Sequence, residues 1–557
     1  MSVLAALNGY YDRLAKKDAA PPYGYSYENI SFAIILSPEG KLVDVQDVRV
    51  TSDGRPRPRR LAVPNDPRST RTSGIAPYFL WDKTAYVFGV TEGSRKRTAQ
   101  EHAAFKELHN RLLSDSNDEG FGALRGFLND WTPDHFEQLR DAEEIMDSNV
   151  VFRLDGEHGY LHDRSAGKGI WQAFLREASP AVGMCLITGA EAPLATLHPP
   201  IRGVYGAQMA GAYIVSFNIN AFESYGLKSG ANAPVSERAA FGYTTALNKL
   251  LERGSTNRVQ IADASTVFWA EASEGGETAA ETAEGVFSIL VDPPAPDDEQ
   301  EAAQVRDVLD KIEKGRPLEE AEPGVEEGTD FYVLGLSPNA ARLSIRFWYE
   351  GTFGDLARRF RDHWDALRIE PMPWRTAPSL WRLLYETAAQ RKAENIPPLL
   401  AGELMRAILT GGRYPRTLLS AVITRMRADQ DINGMRAAIC KACLVRNGED
   451  IDVSLNREET NPGYRLGRLF AVLESVQRAA LGKVNATIRD RYYGAASATP
   501  ASVFPVLLRN TGHHLSSLRK GDKSGLAHWF ETEMGQIVDG LKAQFPSNLR
   551  IEDQGRF

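Results

Sequence analysis

The pattern of apolar residues changes character along this 557-residue chain. From Ile30 to about Glu350, short apolar runs bounded by turn residues predict strands. The runs are SFAIIL, KLVDVQDVRV, AYVFGV, VVFRLDG, CLITG, AYIVSFN, FYVLGL and RLSIRFWYE, with helical patterns at 95–113, 132–146 and 236–253 between them. Beyond about Pro371, helix formers dominate and strand signals are few. The sequence therefore predicts an α+β protein, with a large mixed α/β N-terminal region followed by a C-terminal α-helical bundle.

A chain of this length holds several units, at ~150 residues per domain. The predicted division is a mixed α/β region at 1–270, an acidic insertion or linker at 271–330, the end of the α/β region at 331–375, and a helical bundle at 376–557. Within the bundle, apolar spacing predicts a helix over Tyr464–Leu481. Thr499 before Pro500 predicts an N-cap and the start of another helix.

The acidic residues are concentrated in one stretch. Residues 271–330 hold 19 Asp and Glu against 4 Lys and Arg, so this stretch carries −15 and the remainder +7, although the formal net charge is −8. Its Gly and Pro residues favour a solvated, flexible connector leading into one amphipathic helix at 303–314, and a docking element for a partner is the alternative. The negative total therefore does not exclude a nucleic-acid partner.

Basic residues gather near the front of the chain. Arg55, Arg57, Arg59 and Arg60 alternate with prolines, which keep the backbone extended and deny it helical hydrogen bonds. A planar guanidinium group donates two parallel hydrogen bonds to a phosphate. The pattern predicts an extended ribbon suited to phosphates, and a solvated charged loop is the alternative.

The segment SFNINAFESYGLKSGANAPVS at 216–236 combines small, amide, aromatic and basic residues with no catalytic cluster. It follows the apolar run at 213–215, so a strand is expected to lead into a loop rich in Gly, Asn and Pro. Such a loop can bring backbone N–H groups and amides close to a polymer. Residue types alone favour an ordered surface loop that binds nothing, because such residues are common in loops, and a recognition surface is the alternative.

Clusters suited to catalysis are few. In the segment DGEHGYLHDR, the potential metal ligands are Glu157, His158, His162 and Asp163, but its glycines favour a turn and no further ligand set is evident. The candidates for a metal-dependent nuclease in the same segment are Asp155, Glu157, His158 and Asp163. The following SAGKG lacks the first Gly of a P-loop, and Cys440-Lys-Ala-Cys443 is a lone CxxC in a helical run. The sequence predicts no enzyme, no metal and no cofactor.

Cysteine content and hydropathy bear on the compartment. Three cysteines are too few for a disulfide framework in a chain this long. No apolar run approaches the ~20 residues that span a bilayer, and no signal peptide is evident at the start. We expect a cytoplasmic protein with no membrane partner.

Long ordered segments of the chain resemble one known family. They are ISFAIIL with KLVDVQDVR near the start, RTSGIAPYFLWDKTAYVFG at 71–89, SFNINAFESYGLKSGANAPVSERAAFGYTTALNKLL at 216–251, FYVLGLSPNAARLSIRFWYEGTFGDL at 331–356, YRLGRLFAVLESVQ at 464–477, and NATIRDRYYGAASATPASVFPVLL at 485–508. With these segments the chain resembles the large subunit, of the Csd family, of the type I-C CRISPR surveillance complex called Cascade.

This resemblance implies a non-catalytic subunit. Members of the family are part of a crRNA-bound assembly, recognise the protospacer-adjacent motif (PAM) on double-stranded DNA, help to open the duplex and support recruitment of a Cas3-type helicase-nuclease. The expected partners are the crRNA-bound backbone, crRNA-processing and small subunits, double-stranded target DNA and that helicase-nuclease.

Nine residues are the candidates for the DNA contacts. Contacts to base edges in a groove are predicted for Lys228, Ser229, Asn232, Ser73 and Gly74. Contacts to phosphates are predicted for Arg71, Arg57, Arg59 and Arg60.

Two other function classes stay open at this point: a metal-dependent nuclease that uses the DGEHGYLHDR segment, and a scaffold that binds only proteins. The resemblance also implies that the small subunit is translated from an internal start in the same gene. Met435 is the predicted start, with Met426 second. Residues 435–557 are therefore expected to fold alone as a bundle.

Overall fold

The computed structural model describes residues 1–557 apart from 53, 69–73, 94–95, 178–180, 218, 262, 273–275, 292–306, 308–309, 313, 323, 376 and 542–543. The described residues form two units. The first comprises 1–202 and 209–249, and the second comprises 203–208 and 250–557. The domain limits drawn from the sequence stay predictions.

The first unit contains ten strands and seven helices among its described residues. The strands are β1 (Tyr25–Ile30), β2 (Phe32–Leu36), β3 (Leu42–Asp47), β4 (Val50–Ser52), β5 (Arg55–Arg57), β6 (Arg59–Pro64), β7 (Trp81–Lys83), β8 (Asn149–Leu154), β9 (Val182–Met184) and β10 (Glu191–Pro193). The helices are α1 (Val3–Lys16), α2 (Thr84–Val87), α3 (Thr98–Leu112), α4 (Glu119–Asp130), α5 (Ala142–Ile145), α6 (Ser165–Glu177) and α7 (Glu237–Leu250), whose last residue falls in the second unit.

The main sheet of the first unit is built around β2. Its strand order is β3-β2-β8-β7, with β2 parallel to β8 and the other two pairings antiparallel. Every residue of β2 is buried, as expected for a strand with neighbours on both edges and cover on both faces. Phe32, Ile34 and Leu36 belong to one core cluster, and Ala33 and Ile35 belong to another on the opposite face.

The second unit begins with an antiparallel sheet in the order β11-β12-β13-β14. Its strands are β11 (Arg258–Ile261), β12 (Ala264–Ala270), β13 (Asp330–Asn339) and β14 (Arg342–Thr352). Its described helices are α8 (Glu277–Val291), α9 (Leu318–Ala321), α10 (Phe353–Leu367), α11 (Leu380–Tyr385), α12 (Pro398–Thr410), α13 (Arg416–Asp429), α14 (Gly434–Arg446), α15 (Pro462–Leu481), α16 (Ile488–Ala498), α17 (Pro500–Lys520), α18 (Ser524–Asp539) and α19 (Ile551–Arg556). One continuous hydrophobic core joins the sheet to most of these helices.

The fold class predicted from the sequence is confirmed. Strands lie mostly in the N-terminal half and helices dominate the C-terminal part. The runs SFAIIL, KLVDVQDVRV, VVFRLDG, FYVLGL and RLSIRFWYE overlap β2, β3, β8, β13 and β14. The predicted helices at 95–113, 236–253 and 464–481 correspond to α3, α7 and α15. Thr499 is the N-cap residue and Pro500 begins α17, as predicted, and the Thr499 side chain makes no capping hydrogen bond.

Three predicted strands are wrong. The run AYVFGV overlaps α2, CLITG forms the turn between β9 and β10, and AYIVSFN has no regular strand among its described residues. The helix predicted over 132–146 is a 3₁₀ segment at Pro133–Gln138 followed by the short α5, with Asp141 in a left-handed conformation between them. Apolar runs this short do not distinguish a strand from a buried turn or helix.

The acidic stretch differs from the expected solvated connector. Its first part forms α8, which packs on the sheet through apolar residues that include Phe287 and Leu290. Glu284 on this helix is only 8% exposed and accepts a hydrogen bond of 3.0 Å from the backbone N–H of Ala270 in β12. The helix predicted at 303–314 falls largely outside the described residues.

Helices long and apolar enough to cross a bilayer are not found among the residues that the structure describes.

Candidate nucleic-acid interface

Four arginines of the predicted basic ribbon lie on strands β5 and β6. β5 pairs antiparallel with β4 in a hairpin, and β6 pairs antiparallel with β1. Alternation along a strand directs Arg55 and Arg57 to one face of the hairpin, and directs Arg59 and Arg60 to opposite faces of β6. All four arginines are exposed. The extended backbone expected from the proline spacing is confirmed, while the phosphate role stays a prediction.

Two flanking arginines have a different environment. The guanidinium of Arg49 forms ion pairs with Asp47 at 2.7 Å and with Glu144 at 2.5 Å. Arg68 is paired with Asp66 at 2.7 Å and its side chain is 22% exposed. Arg49 lies between β3 and β4 and Arg68 follows β6, and both are paired with carboxylates. The four arginines on β5 and β6 are exposed.

The RTSG turn is described only in part. Arg71 and Ser73 lie outside the described residues, so their predicted contacts stay predictions. Gly74 is exposed, and a Cβ added there would meet no atom within 4 Å. The chain that follows is anchored in the core, because the backbone N–H of Tyr78 donates to the buried Asp82 carboxylate at 2.8 Å. The structure therefore presents Gly74 at the surface beside a firmly attached segment.

The polar segment at 216–236 forms an irregular loop with two short 3₁₀ turns, Asn220–Phe222 and Ser229–Asn232. The Asn232 side chain organises it. Its Oδ1 accepts from the Ser224 N–H at 3.1 Å, and its Nδ2 donates to the carbonyl oxygens of Leu227 at 3.1 Å and Ser229 at 3.0 Å. The amide of Asn232 is thus already bonded within the loop, and its predicted contact with a base stays a prediction.

The loop is also attached to the segment 195–196. The Ser229 hydroxyl donates to the Thr196 carbonyl at 2.9 Å. Gly230 packs so closely that a Cβ there would lie 2.1 Å from the Ala195 carbonyl oxygen, so this position requires glycine. Lys228, immediately before these contacts, is exposed. Of the three predicted loop residues, Lys228 is therefore the one whose functional group faces solvent.

The end of the polar loop contacts residues that flank strands β1 and β6. Glu237, the first residue of α7, is 8% exposed and accepts a hydrogen bond of 2.9 Å from the Tyr23 hydroxyl. Burial, followed by the neighbouring Glu237 carboxylate, raises the pKa of Tyr23 far above its ordinary value, so the hydroxyl stays a donor. The same carboxylate lies 3.7 Å from the Arg68 guanidinium. Tyr23 precedes β1 and Arg68 follows β6, so the Glu237 carboxylate connects the end of the polar loop to the paired strands β1 and β6.

Sequence reasoning missed this connection. Tyr23, Arg68 and Glu237 are far apart in the chain, and no spacing rule relates them.

The residues of the alternative nuclease site have other partners. The Glu157 carboxylate forms an ion pair of 2.5 Å with Arg164, and the same arginine binds Asp118. Asp163 lies 3.8 Å from the ring of His162, whose pKa is lowered to about 4, chiefly by burial. Within the described part of the chain, no group of three or more His, Cys, Asp or Glu side chains could hold a metal ion.

Comparison with known families identifies one match. The family described as CRISPR-associated protein (Cas_Csd1) matches residues 7–557. A comparison with curated proteins finds no match to the chain.

Proposed function

Because the chain belongs to the Csd1 family of CRISPR-associated proteins, we propose that it is the non-catalytic large subunit of a crRNA-guided type I-C antiviral complex. In this proposal it recognises the PAM in double-stranded DNA, promotes duplex opening and R-loop formation, and supports recruitment of a Cas3-type helicase-nuclease. Its other partners are the crRNA-bound backbone, crRNA-processing and small subunits.

One arrangement carries the proposal. Four exposed arginines lie on the consecutive strands β5 and β6. The Glu237 carboxylate, which follows the loop that exposes Lys228, contacts Arg68 after β6 and Tyr23 before its partner strand β1. Arginines on extended backbone suit successive phosphates, which fix the position of a duplex without reading its sequence. A lysine on a firmly held loop suits an acceptor at a base edge, such as O6 or N7 of guanine.

The energetics of target opening make such modest contacts sufficient. The guide–target heteroduplex is about as stable as the DNA duplex that it replaces, so strand exchange is nearly balanced. A few phosphate and base-edge contacts therefore decide where opening begins. No bond is broken in this role, and cleavage is assigned to the recruited helicase-nuclease.

The test uses the assembled crRNA complex and two target duplexes that differ only in the PAM. We expect the wild-type complex to prefer the PAM-bearing target, and Lys228→Ala to reduce that preference by about 5- to 100-fold, the value of one specific base contact. Lys249→Ala, a lysine change on α7 outside the loop, is the matched control and should keep the preference.

Equal preference in the Lys228→Ala complex and the wild-type complex would refute the assigned contact. Binding by the wild-type complex without any PAM preference would refute recognition itself. A nuclease assay separates the alternative class: cleavage of plasmid by the purified subunit with Mg²⁺ or Mn²⁺, abolished by Asp163→Ala, would contradict the non-catalytic role.

A further inference from the structure

Tyr225 is completely exposed, with 100% of its surface accessible. It is the first central residue of a tight turn in which the Leu227 N–H donates to the Ser224 carbonyl at 2.9 Å. Both central residues have positive φ, 52° at Tyr225 and 75° at Gly226. This is the backbone pattern of a type I′ turn.

A tyrosine is poorly suited to that position. Asn, Asp and Gly are the residues that tolerate positive φ at the first centre of such a turn, whereas a bulky side chain is strained there. A fully exposed ring also gains no burial in return. Neither the local backbone nor the core of the protein therefore explains an aromatic residue here, and a disfavoured conformation that persists points to function.

The turn that bears Tyr225 is held rigidly. The Asn232 amide bonds to both ends of the turn, at the Ser224 N–H and the Leu227 carbonyl, over 3.1 Å each. The turn is therefore fixed before any ligand arrives, which lowers the entropic cost of binding.

The space around the ring is open. The turn neighbours of Tyr225 are the small residues Ser224 and Gly226, and a Cβ added at Gly226 would meet no atom within 4 Å. Both faces of the ring are thus accessible to a planar partner. Lys228 is three residues further along and exposed, which places a cation near the same turn.

We propose that Tyr225 stacks on a nucleobase at the point where the target duplex begins to open. This inference rests on the proposed function and adds a positioning role to it: the ring takes the place of the neighbouring base pair that separates on opening. Every base presents a π-face, so the contact does not depend on sequence, and a base–aromatic stack contributes ~1–3 kcal/mol, or about 5- to 150-fold.

The experiment compares Tyr225→Asn with Tyr225→Phe in the assembled crRNA complex. Asn favours positive φ and preserves the turn while removing the ring, whereas Phe keeps the ring. The probe is a PAM-bearing duplex with 2-aminopurine in the first pairs beside the PAM, whose fluorescence rises on unstacking. We expect at least about fivefold slower opening with Tyr225→Asn, and near-normal opening with Tyr225→Phe.

Two controls define the mechanism. Tyr205→Asn removes another exposed tyrosine, 66% accessible, and should leave opening unchanged. A target with mismatches already unpaired beside the PAM should restore Tyr225→Asn to wild-type behaviour, because the opening step is bypassed.

Each adverse outcome is distinguishable. Normal opening by Tyr225→Asn would overturn the stacking role and leave the proposed function intact. Impaired assembly of the complex, or equally weakened binding to paired and mismatched targets, would overturn it in favour of a contact with a protein subunit. A wild-type complex that opens PAM-bearing and PAM-free targets alike would overturn the proposed function and this inference with it.

Discussion

Arg436 is the largest charged side chain in the core of the second unit, with 1% of its surface exposed. Its guanidinium bonds to the Glu386 carboxylate at 2.9 Å, to Asp429 at 2.7 Å and to the Asp431 carbonyl at 2.8 Å. The Glu386 carboxylate also forms an ion pair of 3.1 Å with Arg391. Both residues line a cleft of about 880 Å³. A buried ion pair of this kind is tolerated only while every partner is present.

Arg436→Gln should therefore lower the free energy of unfolding of the second unit by about 1–3 kcal/mol, because the Glu386 carboxylate loses a charged hydrogen bond and keeps Arg391 as its remaining cation. Urea denaturation followed by circular dichroism measures the decrease. Arg382→Gln, an exposed arginine that lines the same cleft, is the control and should change stability by less than ~0.5 kcal/mol. Equal effects of the two changes would contradict a structural role for the buried network.

His109 is held neutral in the core of the first unit. Its Nε2 accepts from the Leu80 N–H at 2.8 Å while Nδ1 donates to the Phe105 carbonyl at 2.8 Å. Burial lowers its pKa from 6.5 to about 4. Between these values the unfolded chain binds a proton that the folded chain does not bind, so stability falls as the pH drops through this window.

At pH 5 the decrease in stability from His109 alone should be about 2 kcal/mol relative to pH 7. Denaturant unfolding of the first unit at the two pH values, in wild type and in His109→Gln, measures it. The substitution lowers stability at pH 7 but should make the pH-dependent decrease smaller by about that amount. His102→Gln, at a half-buried neighbour on α3, is a suitable comparison and should have less effect on the pH dependence. An unchanged pH dependence in His109→Gln would contradict the assignment.

At the scale of elements, the arginines on strands β5 and β6 can be tested for phosphate binding. If Arg57, Arg59 and Arg60 bind phosphates, their replacement by Gln should weaken binding of the assembled complex to all targets without changing the PAM preference. The slope of log K against log salt should become shallower by ~0.9 for each phosphate that the variant no longer neutralises. Binding measured at several salt concentrations gives this slope.

Arg140→Gln is the matched control for the strands, since Arg140 has 92% of its side chain exposed and lies outside them. It should leave the salt slope unchanged. A triple variant with the wild-type slope would show that Arg57, Arg59 and Arg60 do not bind phosphates.

Sequence patterns located long, regular elements well and short ones poorly. The strand FAIIL was predicted because a continuous apolar run indicates burial on both faces. The 20-residue α15 was predicted because its apolar residues recur at helical spacing and form one stripe. AYVFGV was predicted as a strand but overlaps α2. Its apolar residues are buried in the core, and a short buried run does not distinguish a helix from a strand. The acidic residues of α8 suggested a solvated segment, but the helix has a buried, alanine-rich face. Glu284 is buried on this helix because its carboxylate accepts a hydrogen bond from a backbone N–H of β12.

The candidate site shows the same limit. Residue types indicated the polar loop and the arginine strands, but not that the Asn232 amide would be satisfied inside its own loop. The bonding of this amide depends on how the turns at 224–227 and 229–232 pack together, which residue types do not specify. The link through Glu237 joins segments more than 200 residues apart, which no local pattern encodes.

At the scale of the whole molecule, a second product that starts at Met435 stays a prediction from the family resemblance. The fragment 435–557 is expected to fold alone, yet α14 at its start packs against α10 and α13, both of which lie outside the fragment. The carboxylates that bind Arg436 also precede Met435. We therefore expect a helical fragment in which α14 is less protected than α15–α18.

Circular dichroism and hydrogen exchange of the isolated fragment measure this. Arg436→Gln should alter the stability of the fragment by less than ~0.5 kcal/mol, because the guanidinium no longer has buried partners there. A fragment without helical signal, or one as sensitive to Arg436→Gln as the full chain, would contradict the expectation.

PAM recognition by this subunit requires that the loop at 216–236 contacts the PAM of a target duplex. Site-specific cross-linking tests it most directly: p-benzoylphenylalanine replaces Lys228 in the assembled crRNA complex, and a PAM-bearing duplex is added and irradiated. Lys228 is exposed, so the replacement should not disturb the fold. We predict cross-links confined to the PAM and its adjoining nucleotides. Cross-links only to protein subunits, or spread evenly along the duplex, would contradict the account.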